Sequence, residues 1–184
     1  MEPDIKSNRT AIKYSKFEIS LRVLWIFGNI IFKFTPRPFF GLRSLLLKIF
    51  GAKIGHNVNI YNSAIIYMPW NLEVGNWSAI GEECLVYNLG KVTIGEKTTI
   101  SHRAHICAGT HDYSDPKLPL IKPTITIGRM AWICADSFIG PDTNIGEGAV
   151  IGARAVVVRD VEPWTIVGGN PAKFIKTRKN RNNK

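Results

Sequence analysis

The chain has 184 residues, 45% of them hydrophobic, which is enough for one domain with its own core. Three cysteines without a C-x-x-C pair exclude a disulfide framework and a cysteine zinc site, and suit a reducing compartment. The net charge of +10 sits at the ends: residues 1–53 hold ten Lys/Arg against three Asp/Glu, 54–162 eight against eleven, 163–184 six against none. A nucleic-acid binder carries its cations on the folded body, so that class is excluded; basic ends suit a membrane surface, an anionic ligand or solubility alone.

Residues 1–53 read as an N-terminal helical cap or arm. The most apolar run, ISLRVLWIFGNIIF at 19–32, is too short to span a membrane, contains Arg22 and is followed by no small-residue cleavage site. A cytoplasmic chain is expected. Two amphipathic helices, 17–34 and 39–50, flank the segment TPRP. In the second, Leu42, Leu45, Leu46 and Ile49 form a stripe, with Arg43 and Lys48 off it. Such helices either cap the adjoining structure or lie on anionic lipid at the inner membrane face. The sequence leaves both open.

From residue 54 a period of six takes over. Ile or Val stands at 54, 60, 66, then 74, 80, 86, then 94, 100, 106, then 127, 133, 139, then 145, 151 and 157, making fifteen hexads. Eight of them place Gly immediately after the aliphatic residue, and the fifth position is small or β-branched, as in Ala64, Thr98 and Ala155, with Trp70 the exception. The step lengthens to eight at 66→74 and 86→94 and to twenty-one at 106→127, always after a third hexad. Three hexads therefore make one turn of a triangular coil, and every insertion leaves from the same corner. Five parallel turns, stacked about 4.8 Å apart, fill residues 54–162. The aliphatic residue points inward, and glycine is expected to relieve the backbone at the corners.

The largest break begins at His111, the sixth residue of the hexad led by Ile106. The loop 112–126, kept extended by Pro116, Pro119 and Pro123, projects from that corner; a long loop in a compact repeat is usually functional. A histidine at its foot has a wall beside it, and imidazole titrates in the range that proton transfer from a hydroxyl requires. His102 and His105 are the third and sixth residues of their hexad, on another face, and read as surface residues, so no metal site is expected. Cys84, Cys107 and Cys134 fill glycine-like or small inward positions and read as packing, which favours direct transfer over a covalent intermediate. The C-terminal extension, 163–184, leaves the coil at EPWTIVGGNPAKFIK and ends in a basic tail.

The segments THDYSDP, ITIGRMAWICADSFIGPDTNIGEGAVIGARAVVVRDV and PWTIVGGNPAKFIK resemble the catalytic and coenzyme-A halves of hexapeptide-repeat acetyltransferases. RPFFGLRSLLLKIFGAKIG and MPWNLEVGNWSAIGEECLVYNLGKVTIG are similar to a narrower branch, the colanic acid biosynthesis acetyltransferases. The resemblance covers residues 15–178. It implies a left-handed parallel β-helix that works as a homotrimer, with sites between subunits. It implies acetyl-CoA as co-substrate, no metal, and an acceptor hydroxyl on a sugar, in polysaccharide synthesis, free or as a lipid-linked oligosaccharide. The same core also serves small soluble acceptors. The metal-dependent carbonic anhydrases of this architecture, and a trimer without catalysis, are the alternatives from other classes.

By the same resemblance His111 is the catalytic base, and Trp132 lines the acceptor site with Asp112 beside the base. Ala135 and Ala153 are small positions along which the pantetheine arm lies, and Arg159, Lys173 and Lys176 hold coenzyme phosphates. The maltose-type enzymes carry an asparagine at the oxyanion; counting back from VTIG puts that position at Glu83, an acceptor-only carboxylate. Asn88 is the substitute expected here.

Overall fold

The computed structural model describes residues 2–179; Arg181 and Lys184 of the basic tail lie outside the described residues. The repeat coils into a left-handed parallel β-helix with three flat faces. The first face stacks Lys53–Ile54, Leu72–Val74, Val92–Ile94, Ile125–Ile127 and Asn144–Ile145. The second stacks Asn59–Ile60, Ala79–Ile80, Thr99–Ile100, Trp132–Ile133 and Val150–Ile151, and the third Ile65–Ile66, Leu85–Tyr87, His105–Cys107, Phe138–Ile139 and Val156–Val157. Every hexad-leading Ile or Val is buried, in register with its equivalents above and below. The small fifth positions, among them Ala64, Ser78, Thr98 and Ala155, are buried beside them.

The corners differ from expectation. The left-handed backbone falls on the fourth residue of the hexad, with φ between 53° and 59° at Asn57, Trp77, Glu83, Lys97, Arg103, Met130, Asp136, Asp142 and Arg154. The glycine at the second position answers another constraint, the close stacking of turns. A Cβ on Gly128 would stand 2.6 Å from the Glu147 nitrogen on the next turn, a distance no real Cβ tolerates.

Strand N–H groups donate to the following turn: Asn59 N to Ser78 O at 3.0 Å, Ile65 N to Cys84 O at 2.8 Å. The first turn therefore turns unpaired carbonyls toward the N-terminal segment, and a buried carbonyl needs a donor. Two side chains supply it. Trp25 Nε1 donates to Ile66 O at 2.8 Å and Arg43 Nε to Ile60 O at 2.6 Å. Trp25 belongs to α2 (Lys16–Phe34) and Arg43 to α3 (Phe40–Ile49). Helix α2 opens on a capping box, with Ser15 accepting from Glu18 N and Glu18 from Ser15 N. A short helix that the sequence does not announce, Ile5–Thr10, precedes them.

Of the apolar stripe on α3, only Leu46 packs against the core. Arg43, Ser44 and Leu47 face the coil, whereas Leu42, Leu45 and Ile49 are exposed. The reason is the carbonyl edge: the first turn needs a donor more than it needs another leucine.

The break after the ninth hexad is an arm, not an extended wall. Thr110–His111 pairs antiparallel with Leu120–Ile121, and the chain has rejoined the first face by Ile125, paired with Val92. At the far end the coil continues beyond the five counted turns. Val161 bridges Ile145, Thr165–Gly168 pairs parallel with Val150–Ile151, and only then does Lys173–Thr177 fold back antiparallel. The step of four from Val157 to Val161 hides this partial turn from a count by sixes. Among the described residues no helix is long and apolar enough to cross a membrane.

Candidate active site

The arm presents its histidine in a defined state. His111 Nδ1 lies 2.6 Å from the carbonyl oxygen of Leu118. A carbonyl only accepts, so Nδ1 carries the proton, and in the neutral ring Nε2 is left as the basic nitrogen. His111 is exposed. The carbonyl is itself held in place. Leu118 adopts φ 46°, a left-handed conformation a leucine rarely takes, fixed by Leu118 N donating to Asp115 O at 2.9 Å. Asp115 Oδ1 accepts from Lys117 N at 2.8 Å and Asp112 Oδ1 from Ser114 N at 2.9 Å, so both carboxylates shape the arm's tip.

Trp132 lies on the second face, half exposed, its indole nitrogen donating to Ser101 Oγ at 3.0 Å, which fixes the ring as a platform. Ala135 and Ala153 stack one above the other at the corner between the second and third faces, with Arg154 N donating to Ala135 O at 2.9 Å. Neither projects beyond Cβ, so a strip along that corner is open. Beside it runs a ladder of alternating charge that the sequence reading missed. Asp136 takes a bidentate contact from Arg103, at 2.7 and 3.1 Å, and lies 3.9 Å from Arg154. Hydrogen bonding to Arg103 holds the Asp136 carboxyl below the usual carboxylate range. The recurrence of charge at the fourth position of hexads was the available signal.

Of the three cations expected to hold phosphates, Arg159 and Lys173 line one cavity of about 440 Å³ at the C-terminal end of the coil, closed by Val158, Phe174 and Pro171. Asp160 and Glu162 share that lining. Lys176, on the same strand as Lys173, is not part of it.

Asn88, expected at an oxyanion, has both ends of its amide engaged within the coil. It is fully buried, with Oδ1 accepting from Met68 N at 3.0 Å and Nδ2 donating to Met68 O at 2.6 Å, so its amide ties two turns of the coil together. His105 is half-buried rather than a surface residue. Its Nε2 is buried without a partner and its ring stands edge-on to Phe138; burial lowers its pKa. His102 is exposed. All three cysteines have their pKa raised by burial, Cys84 to about 11, which leaves them as thiols near neutral pH.

The cavity holding Arg159 and Lys173 includes neither His111 nor Trp132. His111 leaves the coil after the third face, whereas Trp132 lies on the second.

No protein-family model matches the chain. It is 36% identical over 160 residues to WcaF of Escherichia coli (strain K12), which is named as a colanic acid biosynthesis acetyltransferase; the match covers 87% of this chain and 88% of that one. Among solved structures it superposes on a hexapeptide-repeat acetyltransferase of Vibrio cholerae with TM-score 0.84 and 22% identity, covering 90% of this chain and 95% of the other. It also superposes on galactoside acetyltransferase in complex with coenzyme A, with TM-score 0.85 and 21% identity, covering 97% and 90%.

Proposed function

Because the chain belongs to the hexapeptide-repeat acetyltransferases, we propose that it transfers acetyl from acetyl-CoA to a sugar hydroxyl in a polysaccharide repeat unit or its lipid-linked precursor. The observation that carries this reading is the contact between His111 Nδ1 and Leu118 O, which leaves Nε2 as a base on an exposed arm. Nε2 takes the proton of the acceptor hydroxyl as its oxygen attacks the thioester carbonyl. The C–S bond then breaks and the departing thiolate takes the proton back from the imidazolium, leaving an O-acetyl ester and free coenzyme A. No acyl-enzyme is required, and the raised pKa values of the cysteines argue against one.

Trp132 supplies a fixed apolar plane for a sugar ring, and the second oxygen of Asp112 is available to an acceptor hydroxyl. The alanine strip suits a pantetheine arm, and Arg159 with Lys173 suits its phosphates. One chain spreads these groups over different faces, which fits a homotrimer whose sites lie between subunits. The test is thiol release from acetyl-CoA with cell-extracted glycolipid, free sugars and amino sugars as acceptors. Acetyl ester formation on a glycan supports the reading. Transfer confined to amino groups, or none with any acceptor, overturns it.

A further inference from the structure

Helix α2 is buried on one narrow stripe only, Trp25, Gly28 and Phe32. Around the rest of its circumference Leu24, Phe27, Ile30, Ile31 and Phe34 are all more than half exposed, and Leu45 and Ile49 of α3 continue the same surface. The two helices enclose an apolar crevice of about 750 Å³. A solvated face of this breadth on two adjoining helices has a partner. We propose that this face docks in the plane of an anionic lipid bilayer. Charge decides between lipid and a second copy. Between Lys16 and Ile49 the exposed cations are Lys16, Lys33, Lys48 and Arg37, the last lying 3.6 Å from Glu82, and the one carboxylate, Glu18, is already paired with Lys122 at 3.2 Å. Two such faces repel each other, whereas anionic headgroups complement them while the side chains sink into the acyl boundary.

Cosedimentation with vesicles of phosphatidylethanolamine and phosphatidylglycerol, against phosphatidylcholine alone, tests this. The protein partitions to the anionic vesicles, salt weakens the binding, and Leu24→Glu with Phe27→Glu and Ile31→Glu lowers it at least tenfold while the melting temperature holds. If that variant does not fold, Lys33→Glu with Lys48→Glu replaces it, with the same drop expected. Equal binding by variant and wild type overturns the proposal. So does no binding, or a lipid-free assembly larger than a trimer that the variant disperses, which would mean a second copy covers the face. None of these outcomes depends on the acceptor assignment.

A separate observation concerns the base, and rests on its assignment to His111. The Leu118 oxygen that accepts from His111 also accepts from Asn8 Nδ2 at 2.7 Å, and the same amide reaches Lys117 O at 2.8 Å. Asn8 Oδ1 is in turn held by Lys13 Nζ at 2.9 Å, and Asp4 N donates to Pro116 O at 2.7 Å. We infer that Asn8 is a positioning residue, acting on His111 through the Leu118 carbonyl. Asn8→Ala lowers kcat about tenfold with KM for acetyl-CoA unchanged, and Asn8→Gln restores part of it. Unchanged kcat overturns the inference, and so does a joint loss of kcat, KM and thermal stability. If His111→Ala is itself silent, the base assignment has failed rather than the role of Asn8.

Discussion

Arg43→Met probes how the coil's open edge is closed. The side chain is fully buried and meets no carboxylate among the described residues. Its donors reach four carbonyls: Ile60 O at 2.6 Å, Thr35 O at 3.2 Å, Pro36 O at 2.8 Å and Arg37 O at 2.7 Å. The Ile60 and Thr35 bonds are buried and the other two partly so. Two buried carbonyls left without a donor cost about 1–3 kcal/mol each, whereas water can replace the other two. Against this stands the relief of dehydrating a cation, whose strain is visible in the lowered pKa of Arg43. The expected net loss is about 3 kcal/mol, with Arg43→Lys intermediate because one ammonium cannot span four acceptors. Denaturant unfolding of both variants, with limited proteolysis of the N-terminal segment, measures it. A loss below about 1 kcal/mol for Met would mean the carbonyl edge is satisfied some other way.

Lys173→Ala or Arg159→Ala weakens acetyl-CoA binding by about 1–2 kcal/mol, the scale of one charge-assisted bond, while Lys176→Ala, outside the cavity, has a smaller effect by calorimetry. Replacing Cys84, Cys107 and Cys134 together with Ser leaves turnover within severalfold of wild type, and no acyl-protein is trapped on rapid quench with labelled acetyl-CoA. Glu18 is held below the usual carboxylate range, first by the Ser15 backbone N–H and then by Lys122. A depressed folded pKa gives stability that is present above the ordinary carboxylate value and lost as pH falls through the lowered one. Glu18→Gln is therefore less stable than wild type by about 0.5 kcal/mol near pH 7, and the two melting curves converge as pH falls below about 4.

The coil was legible because its constraint is local and repeated. Six residues per face and one inward aliphatic are written in every hexad, a small or β-branched neighbour in all but the one that carries Trp70, and the chain breaks its period at His111. What escaped depends on partners distant in sequence. Arg43 reads as a solvent-facing cation until the coil's carbonyl edge is seen above it. Asn8 gives no local sign of its role, since the carbonyls it reaches lie more than a hundred residues away. Asn88 reads as a donor from its residue type alone, but burial commits both ends of its amide to Met68. Arg159 and Lys173 come to one cavity because the last strand folds back antiparallel beside the coil, whereas Lys176 falls farther along that strand.

The central claim is that His111 Nε2 takes the acceptor proton. Turnover of His111→Ala against wild type across pH, with acetyl-CoA affinity measured alongside, tests it most directly. The account predicts a loss of turnover of about 10²–10⁴-fold, an acetyl-CoA affinity that scarcely changes, and the disappearance of the rising limb that wild type shows with pH; His102→Ala remains active. Near-normal turnover in His111→Ala, with that limb intact, would contradict it.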